Sequence, residues 1–269
     1  MREMGVRMRH SLWLLLVVGA LHGHDLYIFP ERFFVDAGHP CTIGFHNGDA
    51  FPESEASPVL ERLRDANLLS SSGVVPVGGL RIEGKLATGV VTVQASGEQI
   101  LTIRTIPNFI SLPPAQFLAY LKEEGLEHVI AWREQHKETQ KPSRERYSKY
   151  AKSIVLAGKS DGFFSHQAGF PIEIIPETDP YRARAGDSIR VRVAFMGKPA
   201  ANLQLEAAWS DRRQTKVAIA GRTGADGVIS VKVDRPGFWR LHTVRMDRCA
   251  QPVIADWESY WASLTFEVR

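Results

Sequence analysis

The run His24-Asp25-Leu26-Tyr27-Ile28-Phe29-Pro30 opens on the residue best suited to hold a metal ion. An imidazole nitrogen is the commonest protein donor to transition metals, and a histidine at a free amino terminus adds its amine, forming a chelate. That chemistry requires a processed chain, and the residues before His24 have the layout of a secretory leader. Arg2, Arg7 and Arg9 make a basic front, residues 12–19 are uninterrupted apolar, and Ala20 and Gly23 are small enough for signal peptidase. The apolar run is too short to span a bilayer. Residues 1–23 therefore read as a signal peptide, cut after Gly23, although Leu21 is bulky for its place three residues before that cut. A cut after Ala20 would instead leave Leu21-His22-Gly23-His24 as a tail.

Further donors must come from elsewhere in the chain. His46 ends an early strand just before the turn Asn47-Gly48-Asp49, and strand-end loops are where sandwich folds assemble sites. His242 lies in a late strand. With His24, these two form the candidate ligand set for a transition metal ion, supported by Asp25, Asp49 and Met246. Nitrogen donors of this kind suit nickel, cobalt, copper and zinc alike. His39, His128, His136 and His166 read as surface, turn or linker residues.

Catalytic signatures are missing. There is no Gly-x-Ser-x-Gly elbow, no phosphate-cradling glycine loop and no His-Glu-x-x-His helix. The acidic pairs Glu53/Glu55 and Glu123/Glu124 read as solvated faces. The expectation is a binding protein, not an enzyme.

The elements that must position these residues are mostly strands. Short apolar or alternating runs punctuated by Pro30, Asp36-Ala37-Gly38 and Asn47-Gly48-Asp49 fill residues 25–105, with a hairpin expected across Ser96-Gly97-Glu98. A helical insertion is expected over residues 111–157: one helix capped by Ser111 and opening at Pro113-Pro114, a second through Leu126, Val129 and Ile130, and a third from Ser143 through Tyr147, Tyr150 and Ile154. Alternation returns at Ile172 and persists to Val268. The fold class is therefore mainly β: a β-rich domain with the helical insertion over 24–168, then an immunoglobulin-like β-sandwich over 169–269.

Two cysteines, Cys41 and Cys249, stand at opposite ends of the processed chain and read in an oxidising compartment as a disulfide, or else as two buried thiols. The formal charge is +3, most of it in the leader, so neither nucleic acid nor anionic lipid is an expected partner. No second apolar run is long enough for a membrane span, and the leader makes the processed protein periplasmic or secreted in expectation.

In order along the chain, His24-Asp25-Leu26-Tyr27-Ile28-Phe29-Pro30, Gly48-Asp49-Ala50-Phe51-Pro52, Tyr120-Leu121-Lys122-Glu123-Glu124-Gly125-Leu126, Arg144-Glu145-Arg146-Tyr147, Gly237-Phe238-Trp239 and Asp256-Trp257-Glu258-Ser259-Tyr260-Trp261 resemble the domain-of-unknown-function family 4198. That resemblance implies an exported, non-enzymatic protein of two β-sandwich regions. It also implies a role in nickel or cobalt uptake beside a membrane metal-uptake transporter, with His24 the one ligand carried over. The rival reading is a structural or carbohydrate-binding β-sandwich module of the cell envelope without metal. Gly197-Lys198-Pro199 and Thr223-Gly224-Ala225-Asp226-Gly227 are similar to carboxypeptidase-regulatory-like domains, and Trp257 and Trp261 would either seal a sandwich edge or form a sugar platform. A metal site predicts a second histidine within a few ångströms of His24.

Overall fold

Apolar residues at every second position, such as Ile189, Val191 and Val193, give strands with one face for a core. The computed structural model describes residues 24–93 and 96–269, and the leader expected over 1–23 lies outside them. In chain order the first part contains β1 (Leu26–Pro30), β2 (Phe34–Val35), β3 (Pro40–Asn47), β4 (Leu63–Ser70), β5 (Gly73–Pro76), β6 (Gly78–Glu83), β7 (Leu86–Thr92), β8 (Gly97–Thr105) and β9 (Asn108–Leu112). Helices α1 (Pro114–Glu123) and α2 (Glu127–Gln135) follow, and then β10 (Ser143–Ala157). The remainder is β11 (Ile172–Pro176), β12 (Ser188–Phe195), β13 (Lys198–Pro199), β14 (Gln204–Ser210), β15 (Thr215–Arg222), β16 (Val228–Lys232), β17 (Gly237–Arg248) and β18 (Trp257–Val268).

The strands form three sheets. A ten-stranded sheet runs β15-β14-β17-β18-β10-β8-β4-β5, with β2 and β9 also pairing β10. A four-stranded sheet, β1-β3-β7-β6, packs on one face through Ile43, Phe45, Leu101, Ala151 and Val155. A second, of β11, β12, β13 and β16, packs on the opposite face through Ile174, Val191, Ile154, Leu241 and Leu264. The alternation along β10 makes this possible, sending Ala151 and Val155 one way and Tyr150 and Ile154 the other. The helices cover the first face farther along, where Phe117, Leu121 and Val129 meet Val244, Met246, Trp257 and Trp261. Among the described residues, no helix is long and apolar enough to cross a membrane.

Several sequence expectations change here. The third helix expected from Ser143 is instead the 15-residue strand β10. Flanked by β18 and β8 and covered on both faces, it is buried almost throughout, so it lacks the polar alternation that marks a half-exposed strand. Its Glu145, Lys149 and Lys152 are buried, although their charge suggests a helix surface. Ser111 lies in β9, and Pro113 precedes α1 as its cap. Among the described residues the hairpin expected across Ser96-Gly97-Glu98 is not formed, because β7 pairs β3 and β8 pairs β10 and β4 in a different sheet. Alternation reveals which way a strand faces, but not its partner.

The boundary drawn at 168/169 falls between strands of one continuous sheet. β18 pairs β10 in parallel from Glu145↔Trp257 to Ser153↔Thr265. The disulfide expected between Cys41 and Cys249 is not made, and both are free, buried thiols. Cys41 points into the core beneath the first small sheet, where burial pushes its thiol pKa up, and Cys249 follows the end of β17.

Candidate metal centre

Strand β1 is fixed twice. Its ladder with β3 places Leu26 opposite Asn47 and Tyr27 opposite His46. Its underside is pinned to β18, where Ser263 Oγ donates to the Leu26 carbonyl at 2.7 Å and Thr265 Oγ1 to that of Ile28 at 2.6 Å. The main chain just before β1 is held as well. Lys149 Nζ donates to the His24 carbonyl, and the Asp25 amide donates to Asp49 Oδ1 at 3.1 Å.

The loop after β3 then brings two carboxylates to the imidazole. His24 Nδ1 lies 3.3 Å from Asp49 Oδ2 and 3.6 Å from Glu55 Oε2. Glu55 accepts from the amides of Asp49 and Ala50, and the Asp49 amide is the main cause holding its carboxyl below the usual range. Gly48 permits the turn, since a Cβ there would come within 2.9 Å of the Glu55 nitrogen and 3.0 Å of the Glu53 carbonyl. One ligand-type atom from each of His24, Asp49 and Glu55 lies within 4.8 Å of the others. One imidazole and two carboxylates form a mixed nitrogen and oxygen set suited to a divalent first-row metal.

The other two histidines of the expected set do not join this cluster. His242, on β17, is buried with both ring nitrogens engaged: Nδ1 with Asp25 Oδ1 at 3.2 Å and Nε2 with Glu124 Oε2 at 3.2 Å. Burial alone would lower its pKa, but the carboxylates of Asp25 and Glu124 outweigh it and raise the pKa to about 9. Asp25 is also committed, because its Oδ2 pairs with Arg240 Nη1 at 3.1 Å. Met246 lies in the apolar core under the helices. His24 thus meets carboxylates, not the second histidine the sequence led us to expect.

His242 gives a pH prediction. A proton bound more tightly in the folded state contributes stability that is complete below the unfolded pKa of 6.5 and is lost as pH rises through about 9. The loss is on the order of 3 kcal/mol at 1.36 kcal/mol per unit of pKa. Urea denaturation at pH 6 and pH 9.5 measures it, and His242→Gln should flatten that alkaline limb.

His46 has a different structural role. Its ring stacks on Tyr27 at 5.1 Å and meets Phe29 edge-on at 5.9 Å, and Nδ1 has no hydrogen-bond partner. Burial lowers its pKa to about 4, so the folded chain holds it neutral. Stability is then lost as pH falls from 6.5 through 4, where the unfolded chain takes up a proton that the folded chain refuses. His46→Phe should remove that acid-side loss, seen as a smaller drop in the urea midpoint between pH 6.5 and 4, and should leave metal binding unchanged.

Two acids read from sequence as solvated belong to this region: Glu55 beside His24, and Glu124 on His242. Their spacing carries no sign of either role, because the partner lies 31 residues away for Glu55 and 118 for Glu124. Trp257 and Trp261 are buried against the helices and so seal this face rather than offer a sugar platform.

A family model described as "Domain of unknown function (DUF4198)" matches residues 21–247. No curated protein matches the chain. Among solved structures, a DUF4785 family protein from Legionella pneumophila is 11% identical, with a TM-score of 0.24; the match covers 80% of this chain and 50% of that one. This chain therefore spans half the length of the Legionella protein. The D0-D1 domain of intimin is 12% identical over 90% of this chain and 97% of that chain, at a TM-score of 0.21. The adhesin InvE of Yersinia pseudotuberculosis is 13% identical over 90% and 58%, at 0.23.

Proposed function

The chain belongs to the DUF4198 family, and from that footing we propose that it is an exported, periplasmic, non-enzymatic protein that binds a divalent transition metal at His24, Asp49 and Glu55. Nickel or cobalt is the cargo, passed on to a membrane uptake transporter; copper and zinc suit the same donors. The observation that carries this reading is the convergence of His24 Nδ1 with two carboxylates on a main chain clamped by Lys149 and Asp49. Cleavage after Gly23 would place the free amine on the residue whose imidazole already meets the acids. Amine and Nδ1 of one histidine close a six-membered chelate ring, and Asp49 and Glu55 supply the negative charge that a dication needs.

Isothermal titration of nickel into the exported protein tests the reading. Binding at submicromolar affinity is expected, and the double variant Asp49→Asn/Glu55→Gln should weaken it by at least about tenfold, or 1.4 kcal/mol. A flat trace from the folded, processed protein overturns the proposal and leaves the structural sandwich module.

A further inference from the structure

His24 stands between two regions of opposite charge. On one side are Asp49 and Glu55; on the other a cleft of about 220 Å³ opens, bordered by His24, Asn47, Arg62, Thr105, Tyr147 and Lys149. Its charged lining residues are all basic. Lys149 is 7% exposed, with its ammonium 5.6 Å from the Tyr147 ring centre and 5.3 Å from that of Trp261. Arg62 donates to the Ile106 carbonyl at 3.3 Å and to Tyr147 Oη at 3.5 Å. Among the described residues, neither cation forms an ion pair with a carboxylate.

The cleft continues inward into a chamber of about 40 Å³ that shares Ile110, Tyr147 and Lys149 and reaches Glu145. Glu145 is the acid at this inner end, where Tyr120 and Ser259 donate to its Oε1. Burial raises its pKa to about 7, so below neutral pH it is mostly protonated and repels an anion less than an ordinary carboxylate does. The Lys149 ammonium donates to the His24 carbonyl and feels the Asp25 and Asp49 charges from beyond ion-pair distance, so a carboxylate in the cleft would be its first direct anionic partner, and guanidinium is suited to carboxylate recognition.

Building on the metal site proposed above, we propose that the cleft beside His24 binds a small organic carboxylate, so that the cargo is a metal–carboxylate complex. The metal end faces His24, Asp49 and Glu55, and free carboxylate oxygens face Arg62 and Lys149. The cleft is smaller than the roughly 300–1,000 Å³ of pockets for drug-sized ligands, and it admits a molecule on the scale of a di- or tricarboxylic acid.

Native mass spectrometry of the exported protein, equilibrated with nickel alone, nickel with citrate, and nickel with inorganic phosphate, tests this. The expected result is a ternary adduct of protein, nickel and citrate, with no equivalent phosphate adduct. The half-buried Arg62 gives the safest variant: Arg62→Gln should lose citrate retention at least about tenfold while nickel affinity stays within about twofold. A nickel adduct that never carries citrate overturns the carboxylate inference and leaves the metal site standing. Phosphate retained as well as citrate overturns it too, since the cleft would then be a general anion site. No nickel adduct under any condition overturns both readings.

Discussion

Replacing Arg240 by methionine is expected to lower the free energy of unfolding by about 3–5 kcal/mol, the scale for removing one partner of a buried ion pair. Arg240 is the largest fully buried side chain among the described residues. Its Nη1 pairs with Asp25 at 3.1 Å and its Nη2 with Glu206 at 2.7 Å. The guanidinium also lies 5.4 Å from the Tyr27 ring centre and 5.8 Å from that of Phe51, and donates to the Gly48 carbonyl. Methionine keeps most of the apolar stem but strands Asp25 in the interior with only His242 to compensate it. Urea denaturation should show a lower midpoint with an unchanged slope. An unchanged midpoint would mean that Asp25 and Glu206 take up protons at little cost.

The same network joins stability to function. Asp25 follows His24 directly, Gly48 precedes Asp49, and both are tied to Arg240. Arg240→Met should therefore loosen the two segments that carry the proposed ligands, and nickel affinity should fall together with stability. Lys149 supports the same backbone from the other side.

What could be read from the sequence followed the range of each signal. The strands of the second part were legible because Ser188–Phe195 and Val228–Lys232 alternate beside turn residues, and alternation is local. α1 and α2 were legible from Pro114 and the apolar spacing of Phe117, Leu121 and Val129. β10 was not, because a strand buried on both faces loses alternation and its charges satisfy partners distant in sequence, Lys152 with Glu173 and Glu145 with Ser259. His24 and Asp49, which the structure brings together with Glu55, drew attention from type and position. Glu55 was missed because its approach to His24 exists only once β1 pairs β3 and the loop turns back at Gly48. His46 and His242 drew attention as histidines, yet one fills an aromatic cluster and the other neutralises buried acids. Residue type marks chemical capacity; pairing decides its use.

Adding one residue ahead of His24 is expected to lower nickel affinity by about a hundredfold, close to 3 kcal/mol, while leaving the fold intact. The extended chain keeps the imidazole, Asp49 and Glu55, so the loss isolates the amine and its chelate ring. The ring is favoured because His24 is already ordered: Lys149 holds its carbonyl and Asp49 the next amide, so little conformational entropy remains to be lost on binding. An α-amine ordinarily titrates near pH 8 and must shed its proton to bind. Affinity in the processed protein should therefore climb through about pH 8, and the part of that climb owed to the amine should be missing in the extended protein. His24→Ala removes the imidazole and with it the chelate ring, leaving a lone amine, and should abolish submicromolar binding. Equal affinity in the processed and extended proteins would place the metal on side chains alone and make the cut position irrelevant. Equal affinity in His24→Ala would move the site elsewhere, because a lone amine beside the exposed Asp49 and Glu55 offers no chelate ring and no imidazole to favour nickel over calcium or magnesium.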